Sequence, residues 1–310
     1  MNESIYLLSL GNFHLTAYGL CLTCGFMLAI ALTVLLTRKT LGIDNILTLC
    51  TVVAPCALLG ARILYLLPMM SYLPDFGGAS FAFKLWEGGY TLFGAVLGGM
   101  LGAWLFAKKK GSLLHTFDVL APGAALAICV ARAAEYFTTQ GLGDYVEDEA
   151  LWYFPLAVEN YFEMWQIPVF FYEAIAALVI CIVCLLVLKQ GREGRTAEVF
   201  LTLLSLTQII LESLREDEFI RFGFVRFSMI MGAVTVAVVA FLSLRRCLKK
   251  TGWTRWQIAR TVMFLVGVVV VILIEFALDK STINNVLLYV IMAATLGVMG
   301  VATLHEGVKG

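Results

Sequence analysis

The chain has 310 residues, 61% of them hydrophobic and 14% charged, with a mean hydropathy of +0.90. An ordinary soluble domain is about half apolar and about a quarter charged, so this composition excludes a soluble globular protein. Twenty-two Lys and Arg balance 22 Asp and Glu, and a net charge of zero excludes a basic protein built to hold nucleic acid.

A helix needs roughly 20 apolar residues to cross about 30 Å of hydrocarbon. Runs of that kind predict nine helices, near 14–36, 45–67, 89–107, 116–135, 167–188, 196–215, 226–244, 259–278 and 283–303. The expected fold class is therefore all-α, a polytopic transmembrane helical bundle. The N-terminus has no basic stretch before its first apolar run and no A-x-A site, which predicts that the first helix is retained and not cleaved as a signal peptide. Seven of the eight cysteines, Cys21, Cys24, Cys50, Cys56, Cys129, Cys181 and Cys184, fall inside apolar runs, and Cys247 lies at a polar edge. The two C-x-x-C pairs lack a second pair at metal-site distance, so the cysteines read as small apolar residues, with no metal and no cofactor expected.

Placing the N-terminus outside collects Arg38, Lys39, Lys108, Lys109, Lys110, Lys189, Arg192 and Arg195 at inner helix ends, followed by Arg245, Arg246, Lys249, Lys250, Arg255, Arg260 and Lys309. These are 15 of the 22 basic residues, and the positive-inside bias then predicts N-out, C-in. The loop at 136–166 is external. Its five acids between Asp144 and Glu159, and its aromatic residues Trp152, Tyr153, Tyr161, Phe162 and Trp165, suit a water–lipid interface. Glycines 94, 98, 99 and 102, and the small residues Gly123, Ala124, Ala125 and Ala127, predict close helix packing. No internal repeat is visible, which counts against transporter folds built from duplicated halves.

An ionisable group inside a span costs about 2.5–3.5 kcal/mol at the bilayer centre, so each needs a partner, water or an interfacial position. Arg62, Arg132, Glu135, Glu173, Glu212 and Arg215 come from four helices and fall at one outer depth, while Asp118 lies near the inner start of its helix. Arg132 and Glu135 are three residues apart, as are Glu212 and Arg215, and Gln208 lies one turn before Glu212. Each set can therefore occupy one helix face. The plain reading is interhelical ion pairs and snorkelling side chains. The shared depth favours a functional site, because the planar fork of arginine suits a lipid phosphate. Glu275, which looks isolated, and His115 and His305 read as packing or solvated residues.

The order of these pieces resembles the prolipoprotein diacylglyceryl transferase family across roughly residues 11–247. The matching pieces are Tyr18-Gly19, Gly60-Ala61-Arg62 with Tyr65, WEGGYTLFGAVLGG at 86–99, Asp118 with Ala121-Pro122, and Arg132 in ARAAEYFTTQGLG. Pro168 with Tyr172-Glu173, and Glu212 with Arg215 in QIILESLRED, complete the set. The resemblance implies a multi-pass protein of the bacterial cytoplasmic membrane that moves a diacylglyceryl group from phosphatidylglycerol to the cysteine thiol of a lipoprotein precursor. Its implied partners are phosphatidylglycerol or another anionic phospholipid, the precursor and membrane lipids. Arg132 would grip the phosphate, Tyr18, Glu173 and Glu212 would shape the polar pocket, and Arg62 and Arg215 would add positive field.

Several family positions are substituted. Phe93 stands where the family carries a histidine, which leaves Glu135 or Glu173 to take the base's role. Gln208 stands in place of a second membrane arginine. The family signature G-R-x-G-N-F-x-N-G-E reads Ala131, Arg132, Ala133, Ala134, Glu135, Tyr136, Phe137, Thr138, Thr139, Gln140 here. Alternatives to an active transferase are a non-catalytic lipid- or lipoprotein-binding relative and a membrane transporter. The expected organisation is a seven-helix core over 1–250 followed by a two-helix extension over 251–310.

Overall fold

The structure, a computed structural model, describes the chain except residues 1–5, 11–12, 39–41, 73, 75–77, 85–87, 139, 161, 217–220, 223–224, 282–283 and 306–310. Lys39 and Lys309 of the inner basic set, Tyr161 of the external loop, Thr139 of the signature segment, and Trp86 and Glu87 of the glycine-rich segment lie outside the described residues. The elements in chain order are β1 (Tyr6–Leu10), β2 (Phe13–Thr16), α1 (Ala17–Thr37), α2 (Ile43–Met69), α3 (Ala79–Phe83), α4 (Leu92–Lys110) and α5 (Leu113–Ala134). They continue as β3 (Val158–Glu159), β4 (Trp165–Gln166), α6 (Val169–Leu188), α7 (Arg195–Ser213), β5 (Arg221–Phe222), β6 (Val225–Arg226), α8 (Phe227–Thr251), α9 (Arg255–Lys280) and α10 (Asn285–Leu304). The strands form three antiparallel two-stranded hairpins, β1–β2, β3–β4 and β5–β6.

Among the described residues nine helices are long and apolar enough to span a membrane, and the fold is an all-α polytopic bundle. Their ends fall within about four residues of the expected ones, with one exception. The run expected to end at 244 continues as helix to Thr251, because Arg245–Lys250 are good helix formers and the first residue to break the pattern is Gly252 at φ +66°.

The chain divides into two compact units. One comprises residues 23–127 and 181–197. In it α2 and α4 meet backbone to backbone: a Cβ on Gly98 would stand 2.1 Å from the Cys56 carbonyl oxygen, and one on Gly60 would stand 2.5 Å from that of Gly94. Lipid tails supply no hydrophobic drive between helices, so this close approach of small residues supplies the dispersion contact instead. Asp118 of α5 closes the same unit. Its carboxylate accepts from the backbone N–H groups of Gly194 and Ala197, the latter at 2.8 Å, and so caps the N-terminus of α7 from another helix.

The other unit comprises residues 1–22, 128–180 and 198–310. Its core is a cluster of Leu206 and Ile209 from α7, Met229 and Val236 from α8, Ile274 from α9, and Leu288, Met292, Leu296 and Met299 from α10. Arg246 near the end of α8 pairs with Glu198 at the start of α7. Arg260, counted by sequence among the cations at inner helix ends, is buried. It donates to Ser243 Oγ at 3.0 Å and to the His305 carbonyl at 3.2 Å, capping the end of α10.

The segment between α5 and α6 in this unit is held by local turns and by the β3–β4 hairpin. Trp152 and Trp165 stack with centroids 5.8 Å apart, and the Trp152 indole donates to the Val146 carbonyl at 2.8 Å. Tyr145, Tyr153, Phe154 and Phe162 are exposed, an aromatic surface of the kind found at membrane–water interfaces.

Candidate functional site

The end of α5, the start of α6 and the end of α7 bring four charges, the buried Glu135, Glu173 and Arg215 and the partly buried Arg132, into a closed ring. Arg132 Nη1 donates to Glu135 Oε1 at 2.6 Å, and its Nε pairs with Glu173 Oε2 at 3.2 Å. Arg215 Nη1 donates to the same Glu173 Oε2 at 3.0 Å, and its Nη2 stands 3.8 Å from Glu135 Oε2. Gln208 extends the ring: its Nε2 donates to Glu173 Oε1 at 2.6 Å and to Glu212 Oε2 at 3.2 Å. Depth and helical spacing brought the residues of this network together on paper, and here they are joined in fact. In a medium without water, buried charges persist only when paired in this way.

The ring is not uniform. The Arg132 side chain is 15% exposed, against 9% for Arg215, 8% for Glu135 and 3% for Glu173. Arg132 Nη2 has no hydrogen-bond partner among the described residues, and neither has Glu135 Oε2, which is buried. Beside the ring lies a cavity of about 10 Å³, room for about one water, lined by Arg132, Glu173, Thr207 and Gln208 together with apolar side chains such as Ala176 and Ala177. Tyr18, in the first turn of α1, lies within electrostatic range of Glu135, Arg132 and Arg215. The N–H of Gly19 donates to Thr16 Oγ1 at 3.0 Å and fixes that turn.

Arg62 belongs to the other unit and is occupied there. Its guanidinium donates to the carbonyls of Phe81, Lys84, Gly88 and Gly89, and stacks over the Phe81 ring at 4.6 Å. Gly88 and Gly89 sit at φ +78° and +77°, and at Gly89 a Cβ would stand 2.7 Å from Arg62 Nη1, so glycine is required for the chain to wrap the cation. Phe93, which the resemblance sets where the family carries a histidine, is buried in α4.

Sequence reasoning missed the residues that frame the ring. Gly141, at φ +73°, passes so close to Glu135 that a Cβ would stand 2.4 Å from Oε2. Gly143 forms an antiparallel bridge to Arg215, its N–H donates to the Ile167 carbonyl at 2.8 Å, and its own carbonyl accepts from the buried Gln166 amide at 3.0 Å. The Q-G-L-G run was the available signal, since glycines that follow a helix directly mark close backbone approach. Arg226 Nη2 donates to the Arg215 carbonyl. It escaped notice because an arginine at a span boundary needs no partner to be tolerated.

A family model described as prolipoprotein diacylglyceryl transferase matches residues 5–245. Curated relatives of Streptococcus pneumoniae are similar to the chain and named phosphatidylglycerol–prolipoprotein diacylglyceryl transferase. The serotype 4 protein is 29% identical over 227 residues, which cover 70% of this chain and 84% of that one. The protein of strain Hungary19A-6 is 29% identical over 226 residues with the same coverage. The match takes in every member of the ring and all but the last two helices, and with the nine spans it makes this multi-pass chain of the cytoplasmic membrane a member of the prolipoprotein diacylglyceryl transferase family.

Proposed function

We propose that this protein transfers the diacylglyceryl group of phosphatidylglycerol to the cysteine thiol of a lipoprotein precursor, on the outer side of the membrane. The sulfur forms a bond to the glyceryl carbon, the carbon–oxygen bond to phosphate breaks, and glycerol phosphate leaves with that electron pair. The observation that carries this reading is the free edge of Arg132, the most exposed of the four charges in the ring. A guanidinium already held by two carboxylates keeps Nη2 for a phosphate oxygen, and a preorganised donor of this kind acts on charge that develops on a leaving phosphate.

Glu135 is the proton acceptor in this scheme. Both oxygens of Glu173 are engaged, by Gln208 and by the two arginines, whereas Glu135 Oε2 accepts no hydrogen bond among the described residues. The thiol proton passes to that oxygen as the sulfur attacks. Arg215 pairs with Glu173 and Glu212 with Gln208, and Tyr18 lies within electrostatic range of Glu135, Arg132 and Arg215.

The test is a reconstituted assay with phosphatidylglycerol vesicles and a lipobox peptide. The peptide gains one diacylglyceryl group for each glycerol phosphate released, and Arg132→Ala lowers the rate by on the order of 100-fold or more. Equal transfer by Arg132→Ala removes the assigned role. A second reading has its own observation: with Phe93 in the histidine's place, the pocket holds a lipid headgroup without turnover. Lipid retained through purification, with no product from any anionic donor, favours that reading.

A further inference from the structure

Helices α9 and α10 lie beyond the stretch that matches the family, yet they grip the turn that carries Glu212 and Arg215. A helix end leaves its last carbonyls without intrahelical partners, and at membrane depth water is scarce to satisfy them. At the end of α7 the Ser213 carbonyl accepts from the Tyr289 hydroxyl of α10 at 3.3 Å. The Arg215 carbonyl accepts from Arg226 at the start of α8. Ser213 is held a second time, its Oγ donating to Glu275 Oε2 of α9 at 3.3 Å. Glu275, which looked isolated in the sequence, is 6% exposed and lies within electrostatic range of Arg226. Beside this clasp, Ile274 of α9 and Leu288 and Met292 of α10 share one apolar cluster with Ile209 of α7.

We propose that the α9–α10 hairpin is a positioning element for the ring: Glu275 and Tyr289 hold Ser213 by its hydroxyl and its carbonyl, and so fix the direction in which Glu212 and Arg215 leave α7. Neither residue touches the reacting groups. The clasp stands on the contacts of Ser213; only its consequence for catalysis rests on the transferase reading.

The experiment uses the full chain in phosphatidylglycerol nanodiscs, with Glu275→Ala, Glu275→Gln and Tyr289→Phe. Two quantities are read, amide exchange of residues 214–216 and steady-state transfer. Glu275→Ala and Tyr289→Phe speed exchange at 214–216 and leave α4 unchanged. They lower kcat by on the order of tenfold with KM for phosphatidylglycerol unaltered, as misplacement of a site group does. Glu275→Gln, which keeps an acceptor for Ser213, restores both. Unchanged exchange at 214–216 in both disabling variants would overturn the proposal, and so would equal speeding in α4, which marks general loosening. A wild-type protein with no transfer activity refutes the transferase reading alone, since the exchange measurement still decides the clasp.

Discussion

Arg132 differs from the other members of the ring in having an edge to spare, and Gln208 differs in having none. The Gln208 amide nitrogen spends its donors on Glu173 and Glu212, two carboxylates that would otherwise face each other across a dry interface. Gln208→Leu removes both bonds and leaves buried acceptors unsatisfied, which costs about 1–3 kcal/mol for each group. The expected outcome is a lower midpoint of thermal unfolding in detergent and loss of most activity. Gln208→Arg supplies donors to the same two carboxylates and is expected to keep the wild-type midpoint. A Leu variant as stable as wild type would show that the bridge contributes nothing. The members of the network were legible in the sequence because membrane depth and three- or four-residue spacing are written there. Which oxygen each donor reaches was not, since that depends on the contact between α6 and α7.

Helix α7 carries half of this network and is held at both ends by other elements. Asp118 caps its first turn from α5, and Tyr289 and Arg226 satisfy its last carbonyls. Replacing an N-terminal cap typically costs about 0.5–2 kcal/mol, so Asp118→Ala is expected to lower stability by that amount. Its effect on transfer should be the smaller one, because the ring lies at the opposite end of the helix. A stability measurement that found no loss would contradict the capping role. The glycine turn after α5 offers a sharper contrast. Gly141→Ala meets both a positive φ and Glu135 Oε2, while Gly88→Ala meets a positive φ in open space. Both should lose about 1 kcal/mol or more from backbone strain. Only Gly141→Ala should also displace Glu135 and cut transfer; equal activity in the two variants would separate Glu135 from the chemistry. The glycines themselves were readable as turn signals, but apart from Glu135 their neighbours, Ile167, Val169, Phe170 and Leu214, lie far along the chain and leave no local pattern.

The span pattern was legible almost in full, because the bilayer imposes length and apolarity together on every helix that crosses it. The charges obeyed that logic less completely. Arg62 is expected from sequence at the outer depth of the ring, yet its guanidinium is taken up by carbonyls of the glycine-rich segment, and depth cannot distinguish those two fates. Glu275 was passed over for the opposite reason: its partners lie 62 residues earlier in the chain, at Ser213, so nothing near it in sequence announces them. Division of labour within the molecule therefore follows helix ends more than helix order. The measurement that bears most directly on the function is rescue of a bacterium depleted of its own diacylglyceryl transferase. Wild-type protein should restore growth and diacylglyceryl-modified lipoproteins, and Arg132→Ala, present in the membrane at equal abundance, should restore neither. Failure of the wild type, or rescue by the variant, would contradict the account.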